Sequence, residues 1–234
     1  MLNPKRILRD TLGGLLFSEL EVVTVQALGT RFRLLELAGQ PLRPFVPGAK
    51  LQLMLDAGSR TYTPFEVDSA AGRLSLLIYL HGNGPGSQWA ASARQGTRVM
   101  AFGPRGSIDL PRVSAPAILV GDETSIALAA LLERTHRGRS AALLEVTSIH
   151  DARVALDALG VERVTLVERK PGDGHRAQLN STLLGQLDAL GADATILTGN
   201  ARSIQSVRSS LHDSDPRPKQ TVKAYWAPGK RGLD

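Results

Sequence analysis

Leu51, Leu53 and Leu55 alternate with Gln52 and Met54, a two-residue period that predicts a half-buried strand over Lys50–Leu55. Comparable stretches recur through the first half of the chain. Glu19–Leu28 carries Val22, Val23 and Val25, and Arg31–Leu37 holds Phe32, Leu34 and Leu37 in imperfect alternation. Arg73–Leu80 and Arg98–Phe102 are two more short β-type runs. Between them fall Gly29, the stretch from Gly39 to Pro47-Gly48, Gly58, Gly72, Gly84-Pro85-Gly86 and Gly103-Pro104. Short strands divided by such turns predict a small antiparallel β-barrel. Ser87–Arg94 is the helix expected within it.

Beyond Pro111 to Pro116 the pattern changes. Ala117–Val120 is a short apolar strand, followed by a helix over Thr124–Arg134 with Ile126, Leu128, Leu131 and Leu132. Strands over Ala141–Val146, Arg163–Val167 and Ala194–Leu197 then alternate with helices over Ile149–Leu159, Arg176–Leu190 and Ala201–Leu211, and Thr221–Trp226 reads as a last strand. This alternation predicts an α/β domain with a mainly parallel sheet and helices on both faces. The boundary falls at about Val113, giving domains of 1–113 and 114–234.

Composition adds limits rather than an activity. With 234 residues the chain suffices for two small domains. A formal net charge of +6 favours an anionic partner. Nucleic acid fits less well, because no Lys/Arg block and no basic–aromatic stripe occurs. The absence of cysteine excludes disulfides, thiolate nucleophiles, iron–sulfur clusters and Cys-based zinc sites. The five histidines show no metal-ligand spacing. Met1–Asp10 has Lys5, Arg6 and Arg9 but no apolar core before Gly13-Gly14, and no run is long enough to span a bilayer. The expectation is a cytoplasmic monomer without integral membrane association.

Candidate chemistry concentrates in two neighbouring segments. Arg60-Thr61-Tyr62-Thr63-Pro64 and His81-Gly82-Asn83-Gly84-Pro85-Gly86-Ser87-Gln88-Trp89-Ala90 bring an arginine, aromatic rings, hydroxyls and a glycine-rich turn within 31 residues. A planar ring system with a diphosphate tail needs such a set. On a strand Arg60 and Tyr62 share a face, and a guanidinium makes forked contacts with phosphate. Gly82, Gly84 and Gly86 permit close backbone approach. Ser87 is placed to cap a helix beginning near Gln88, whose free amides would form an anion site. Singly, each has a plainer role: Arg60 an exposed strand cation, Tyr62 a core ring, Thr63 a β-former, and the glycines a turn before a helix.

In content, order and spacing, R-x-Y-T-P, then H-G-x-G-P-x-x-x-W-A, then Gly103-Pro104-Arg105-Gly106 resembles the siderophore-interacting protein family of FAD-dependent ferric-siderophore reductases. The resemblance continues through Gly121-Asp122-Glu123-Thr124, Thr198-Gly199-Asn200-Ala201-Arg202 and Tyr225-Trp226 with Gly229. It implies a ferredoxin-reductase-like fold, with 1–113 an FAD-binding β-barrel domain and 114–234 an NAD(P)H-binding-type α/β domain. Arg60, Tyr62 and Thr63 would hold the flavin, with Tyr62 against the ring. His81, Gly84, Ser87 and Trp89 would lie around the diphosphate and adenine side, and Gly121, Asp122 and Thr124 near the nicotinamide. The implied activity passes electrons from NADPH or NADH through bound FAD to the Fe(III) of a ferric siderophore. No side chain is expected to act as acid or base, because the cofactor carries the chemistry.

The second half refines the donor. Its first βα turn lacks G-x-G-x-x-G, so a Rossmann-type diphosphate cradle is not expected. Asp122 or Thr124 suits a helix cap, and Glu123 complements the helix dipole. The second strand ends in Val146-Thr147-Ser148 without an acid, with His150 and Arg153 following; these groups suit the extra phosphate of NADPH. Arg169 and Lys170 could assist or simply belong to a solvated loop. Two positions depart from the family. Phe65 stands where an arginine is usual, and Ile196–Asn200 replaces Trp-x-Ala-Gly-Glu, so Asn200 takes the place of the glutamate. They leave three alternatives open: a ferredoxin-type donor, a general NAD(P)H:flavin or quinone reductase, and a flavin- or siderophore-binding module without efficient turnover. Lys219, Lys223, Lys230 and Arg231 form a basic end that would attract anionic chelates or serve as a solvated tail.

Overall fold

The computed structural model describes residues 17–214 and 217–230. Lys5, Arg6, Arg9 and Arg231, and with them the reading of the first ten residues, lie outside the described residues. The described chain divides into two compact units. One runs to Gly106 except for Ala27–Phe32 and Val46–Gly48, which join Ser107 onward in the other.

The first unit is a seven-stranded antiparallel sheet: β1 (Phe17–Leu28), β2 (Phe32–Gly39), β3 (Lys50–Leu55), β4 (Gly58–Tyr62), β5 (Phe65–Asp68), β6 (Arg73–Tyr79) and β7 (Arg98–Arg105). Their order is β4-β3-β7-β1-β2-β6-β5. The alternation read in β3 is realised: Leu51 and Leu53 are fully buried while Met54 is exposed. They join Leu20, Val22, Leu35, Leu37, Leu74, Leu76 and Ile78 in one core. Strand β5 escaped the sequence reading because four residues are too few to show a period. Helix α1 (Pro85–Ser92) starts two residues before Ser87. Proline suits the first helical position because its missing N–H has no partner to lose there.

The second unit is a five-stranded parallel sheet of β8 (Ala117–Asp122), β9 (Ser140–Val146), β10 (Val164–Glu168), β11 (Ala194–Asn200) and β12 (Lys219–Trp226), in the order β10-β9-β8-β11-β12. The helices are α2 (Ile126–His136), α3 (Ile149–Leu159), α4 (Arg176–Leu190) and α5 (Ala201–Ser210). Helices α3 and α4 match their expected bounds and end at Gly160 and Gly191, whose φ of 68° and 60° suit glycine. Helix α2 begins at Ile126 rather than Thr124, because a short 3-10 turn over Glu123–Ser125 intervenes. The expected class, an antiparallel β unit followed by an α/β unit with a parallel sheet, is the observed one. No helix among the described residues is long and apolar enough to cross a membrane.

Candidate functional site

Strand β4 is the edge of its sheet, and its register sets Arg60 opposite Leu53 and Tyr62 opposite Leu51. Strand geometry puts both side chains on one face. The first turn of α1 lies on that face. A Cβ at Gly86 would strike the Tyr62 hydroxyl and sit 3.4 Å from Arg60 Cγ. Only a residue without a side chain fits there.

The same turn gathers the second motif. A Cβ at Gly84 would lie 2.9 Å from His81 Cε1. Ser87 is buried, and its Oγ accepts the His81 N–H at 3.1 Å. Ser87 therefore does not cap the helix, as its sequence position suggested. Gly84 is the N-cap, without a side-chain bond, so no side chain occupies the amides there. Trp89 packs, partly buried, against the sheet core. Thr63 is half-buried just beyond β4.

Electrostatically, Arg60 and Tyr62 differ from their neighbours. Arg60 Nη1 donates to the Ser59 carbonyl at 2.6 Å, and it pairs with no carboxylate among the described residues. Burial pushes the Tyr62 phenol up to about 12, against a downward pull from Arg60. Tyr62 thus stays a neutral hydroxyl through the physiological range. A cation without an acid, a neutral ring and a small-residue helix turn together suit an aromatic group with a phosphate tail.

The second unit has its own constellation, at the carboxyl ends of β8 and β11. Strand order reverses between these two, which is where open parallel sheets bind ligands. Asp122 ends β8 and is fully buried. It accepts the Thr124 N–H at 2.9 Å, the Thr124 hydroxyl, and Trp226 Nε1–H at 2.7 Å. Burial, with Glu123 beside it, pushes its carboxyl up to about 6, although the hydrogen bonds and Arg169 act downward. Gly121 leaves room for Ser125, whose Oγ lies 2.8 Å from Thr198 Oγ1.

Arg169 is drawn inward by three carboxylates. Its guanidinium lies 2.8 Å from Glu123, 3.8 Å from Glu145 and 3.9 Å from Asp122. Burial opposes its charge, but these acids outweigh it and hold its pKa above the usual value. Glu145 also accepts from Ser203 Oγ at 2.7 Å and lies 2.7 Å from His175 Nε2. Because His175 Nδ1 accepts the Lys170 N–H at 3.2 Å, the imidazole proton sits on Nε2 and points at Glu145.

The groups read as a 2′-phosphate site are therefore partly engaged elsewhere. Arg169 and Thr147 bond to each other and to Glu123, and Ser148 caps α3. Arg169 is held by buried carboxylates rather than in a solvated loop, whereas Lys170 is exposed, as are His150 and Arg153.

Gly199 closes this site with φ of 85°, and a Cβ there would strike the Asp122 carboxylate. Gly199→Ala is expected to destabilise the second unit by about 2 kcal/mol. It should also change the Trp226 emission as the indole N–H loses its acceptor. An unchanged melting temperature and emission would contradict this geometry.

Comparison with known proteins now adds to the geometry. Residues 49–108 match the siderophore-interacting FAD-binding domain. That span contains β4, α1 and the residues of both first-unit motifs, Arg60–Thr63 and His81–Trp89. Over that stretch the chain is similar to the siderophore-interacting proteins. It is 25% identical over 259 aligned positions to the NADPH-dependent ferric-chelate reductase of Escherichia coli strain K12, covering 95% of this chain and 96% of that one. A siderophore utilization protein from T. fusca superposes with a TM-score of 0.69 at 26% identity, over 93% and 95% of the two chains. Phthalate dioxygenase reductase shares the fold, with a TM-score of 0.72 at 19% identity over 92% of this chain and 70% of that one.

The two positions that depart from the family pattern have physical roles. Phe65 is buried in its unit, so the site of the usual arginine is here a core position rather than a missing surface charge. Asn200 caps α5, its Oδ1 accepting the Arg202 N–H at 3.0 Å. Sequence reasoning missed the buried cluster of Asp122, Glu123, Glu145 and Arg169. Its one local signal was Glu145 inside the apolar run Ala141–Val146. It also missed the Trp226–Asp122 bond, which links residues 104 apart and left no local signal.

Proposed function

We propose that the chain is an FAD-dependent ferric-siderophore reductase using NAD(P)H as donor. The observation that carries this reading is the seating of Gly86 on the Arg60–Tyr62 face, inside the stretch that matches the FAD-binding domain. In this proposal residues 1–113 hold the flavin and 114–234 receive the nicotinamide nucleotide. Arg60 neutralises the diphosphate by a forked contact, Tyr62 and Thr63 bound the ring, and His81, Gly84, Ser87 and Trp89 shape the tail and adenine side. When bound, the flavin supplies the conversion between a two-electron hydride donor and a one-electron ferric acceptor.

Gly121, Asp122 and Thr124 would meet the nicotinamide end. Asp122 ionises at about 6, so at neutral pH it carries a buried negative charge. That charge favours the cationic oxidised ring over the neutral reduced one and repels phosphate. The exposed side chains of His150, Arg153 and Lys170 remain for a 2′-phosphate. The iron arrives in its anionic chelate and leaves when the ferrous form is held more weakly.

The test begins with the flavin spectrum of the purified protein. Arg60→Ala and Tyr62→Ala should each weaken FAD retention by roughly tenfold or more, an effect of about 1.4 kcal/mol. Full retention in both variants would move the flavin elsewhere. Anaerobic mixing with NADPH and NADH separately should bleach the flavin, and subsequent addition of a ferric siderophore should restore its colour. Bleaching by neither nucleotide would point to a protein donor such as a ferredoxin.

A further inference from the structure

Helix α5 presents Ala201, Ile204, Gln205, Arg208 and Ser209 at helical spacings of three and four, and His212 follows one turn later. These residues form one wall of an open groove of about 710 Å3. The other wall is β12, through Gln220 and Ala224, and Arg217 also lines the groove. The groove exists because β12 is an edge strand. Helix α5 packs along this edge strand. On one face of that strand Val222 stands exposed between Gln220 and Ala224.

The groove has a sign. No carboxylate lines it among the described residues, whereas Arg208 and Arg217 do. Neither arginine forms an ion pair among the described residues, and Arg217 reaches only the His212 carbonyl. The chain's charge is also concentrated here. Residues 201–234 hold seven Lys/Arg against three Asp/Glu, while residues 1–200 hold 21 against 19. Exposed guanidinium groups lacking acids of their own favour an anion. Between them Ile204, Ala201 and Ala224 offer an apolar floor, and Gln205, Ser209 and Gln220 offer neutral hydrogen-bonding groups.

We infer that the α5–β12 groove binds a small organic anion, one carrying a sulfonate, phosphate or carboxylate on an apolar body. Its volume falls in the range of small-molecule sites, about 300–1,000 Å3. The acid group meets Arg208 and Arg217, and the apolar body lies over Ile204 and Ala224. Neither Asp122 nor Thr124 lines the groove, and the buried carboxylates Asp122 and Glu123 give their crevice the opposite sign.

The test uses the flavin-loaded protein labelled with nitrogen-15. Two probes are titrated: 8-anilinonaphthalene-1-sulfonate, which has both features, and inorganic pyrophosphate, which has charge alone. The sulfonate is expected to shift the backbone amides of Ile204, Gln205 and Gln220, with pyrophosphate competing. Charge reversal in Arg208→Glu/Arg217→Glu should raise the sulfonate Kd at least tenfold without altering the flavin spectrum, since both side chains are exposed. Equal affinity in wild type and variant, or no movement of these amides, would overturn the site. Pyrophosphate binding without sulfonate binding would overturn the apolar half of the assignment. NADPH shifting the same amides, with weaker binding in the variant, would merge the groove with the donor site and overturn its independence.

Discussion

Arg169→Met should destabilise the second unit by about 3–5 kcal/mol at pH 7.5, the largest stability effect expected of an exchange at the carboxylate cluster. Methionine matches much of the arginine's length but leaves Glu123, Asp122 and Glu145 buried around no cation. Removing one member of a buried charged set costs more than the set contributes, because the others remain desolvated. The loss should shrink as pH falls toward 5, because Asp122, whose carboxyl burial raises to about 6, takes up a proton. Wild-type Asp122 gives a smaller effect of the same sign. Its carboxyl is raised from 3.8 to about 6 in the folded state, so the fold binds this proton more tightly than the unfolded chain. The group's penalty is absent below about 4, grows through that window, and is complete above 6. Thermal melts followed through Trp226, whose indole bonds to Asp122, would read both effects. A loss below about 1 kcal/mol, equal at pH 5 and 7.5, would show that Arg169 does not neutralise the cluster.

Gly86→Ala should have the largest effect on flavin retention from the smallest change in mass. The added methyl meets the Tyr62 hydroxyl, whereas the ring carbon behind it is 3.5 Å from the same point, an ordinary contact. Tyr62 then moves off its face, or α1 lifts from β4. Either displaces the aromatic face from the helix turn, and FAD affinity is expected to fall by roughly 100-fold, about 2.7 kcal/mol. Tyr62→Phe removes the offending oxygen and should restore most of that loss in the double variant. Retention measured by ultrafiltration of the flavin in all four proteins gives the coupling directly. Failure of Tyr62→Phe to rescue Gly86→Ala would show that the hydroxyl is not what the glycine spares.

Local sequence made much of the architecture legible. Alternation in Lys50–Leu55 survives as a strand with Leu51 and Leu53 inside, because side-chain period and sheet pleat are the same repeat. Helices α3 and α4 fall at their expected bounds because Gly160 and Gly191 supply the positive φ that stops them. Shorter elements were less legible. Strand β5 is too brief for a period, and α1 takes its start from Pro85 rather than Ser87. That the two first-unit motifs would meet was readable, because they lie on two short segments with tight backbone demands.

The sequence by itself determined the succession of β and α/β units, the basic balance, the exclusion of thiol chemistry and the residues of the flavin-type motif. These depend on periodicity, composition and turns of a few residues. Only the tertiary structure decided which polar groups are spent internally. It turned Arg169 inward, made Phe65 a core residue and Asn200 a helix cap, and placed Trp226 on Asp122. Such outcomes follow from burial between segments far apart in the chain, where desolvation forces each charge to find a partner that no local pattern names.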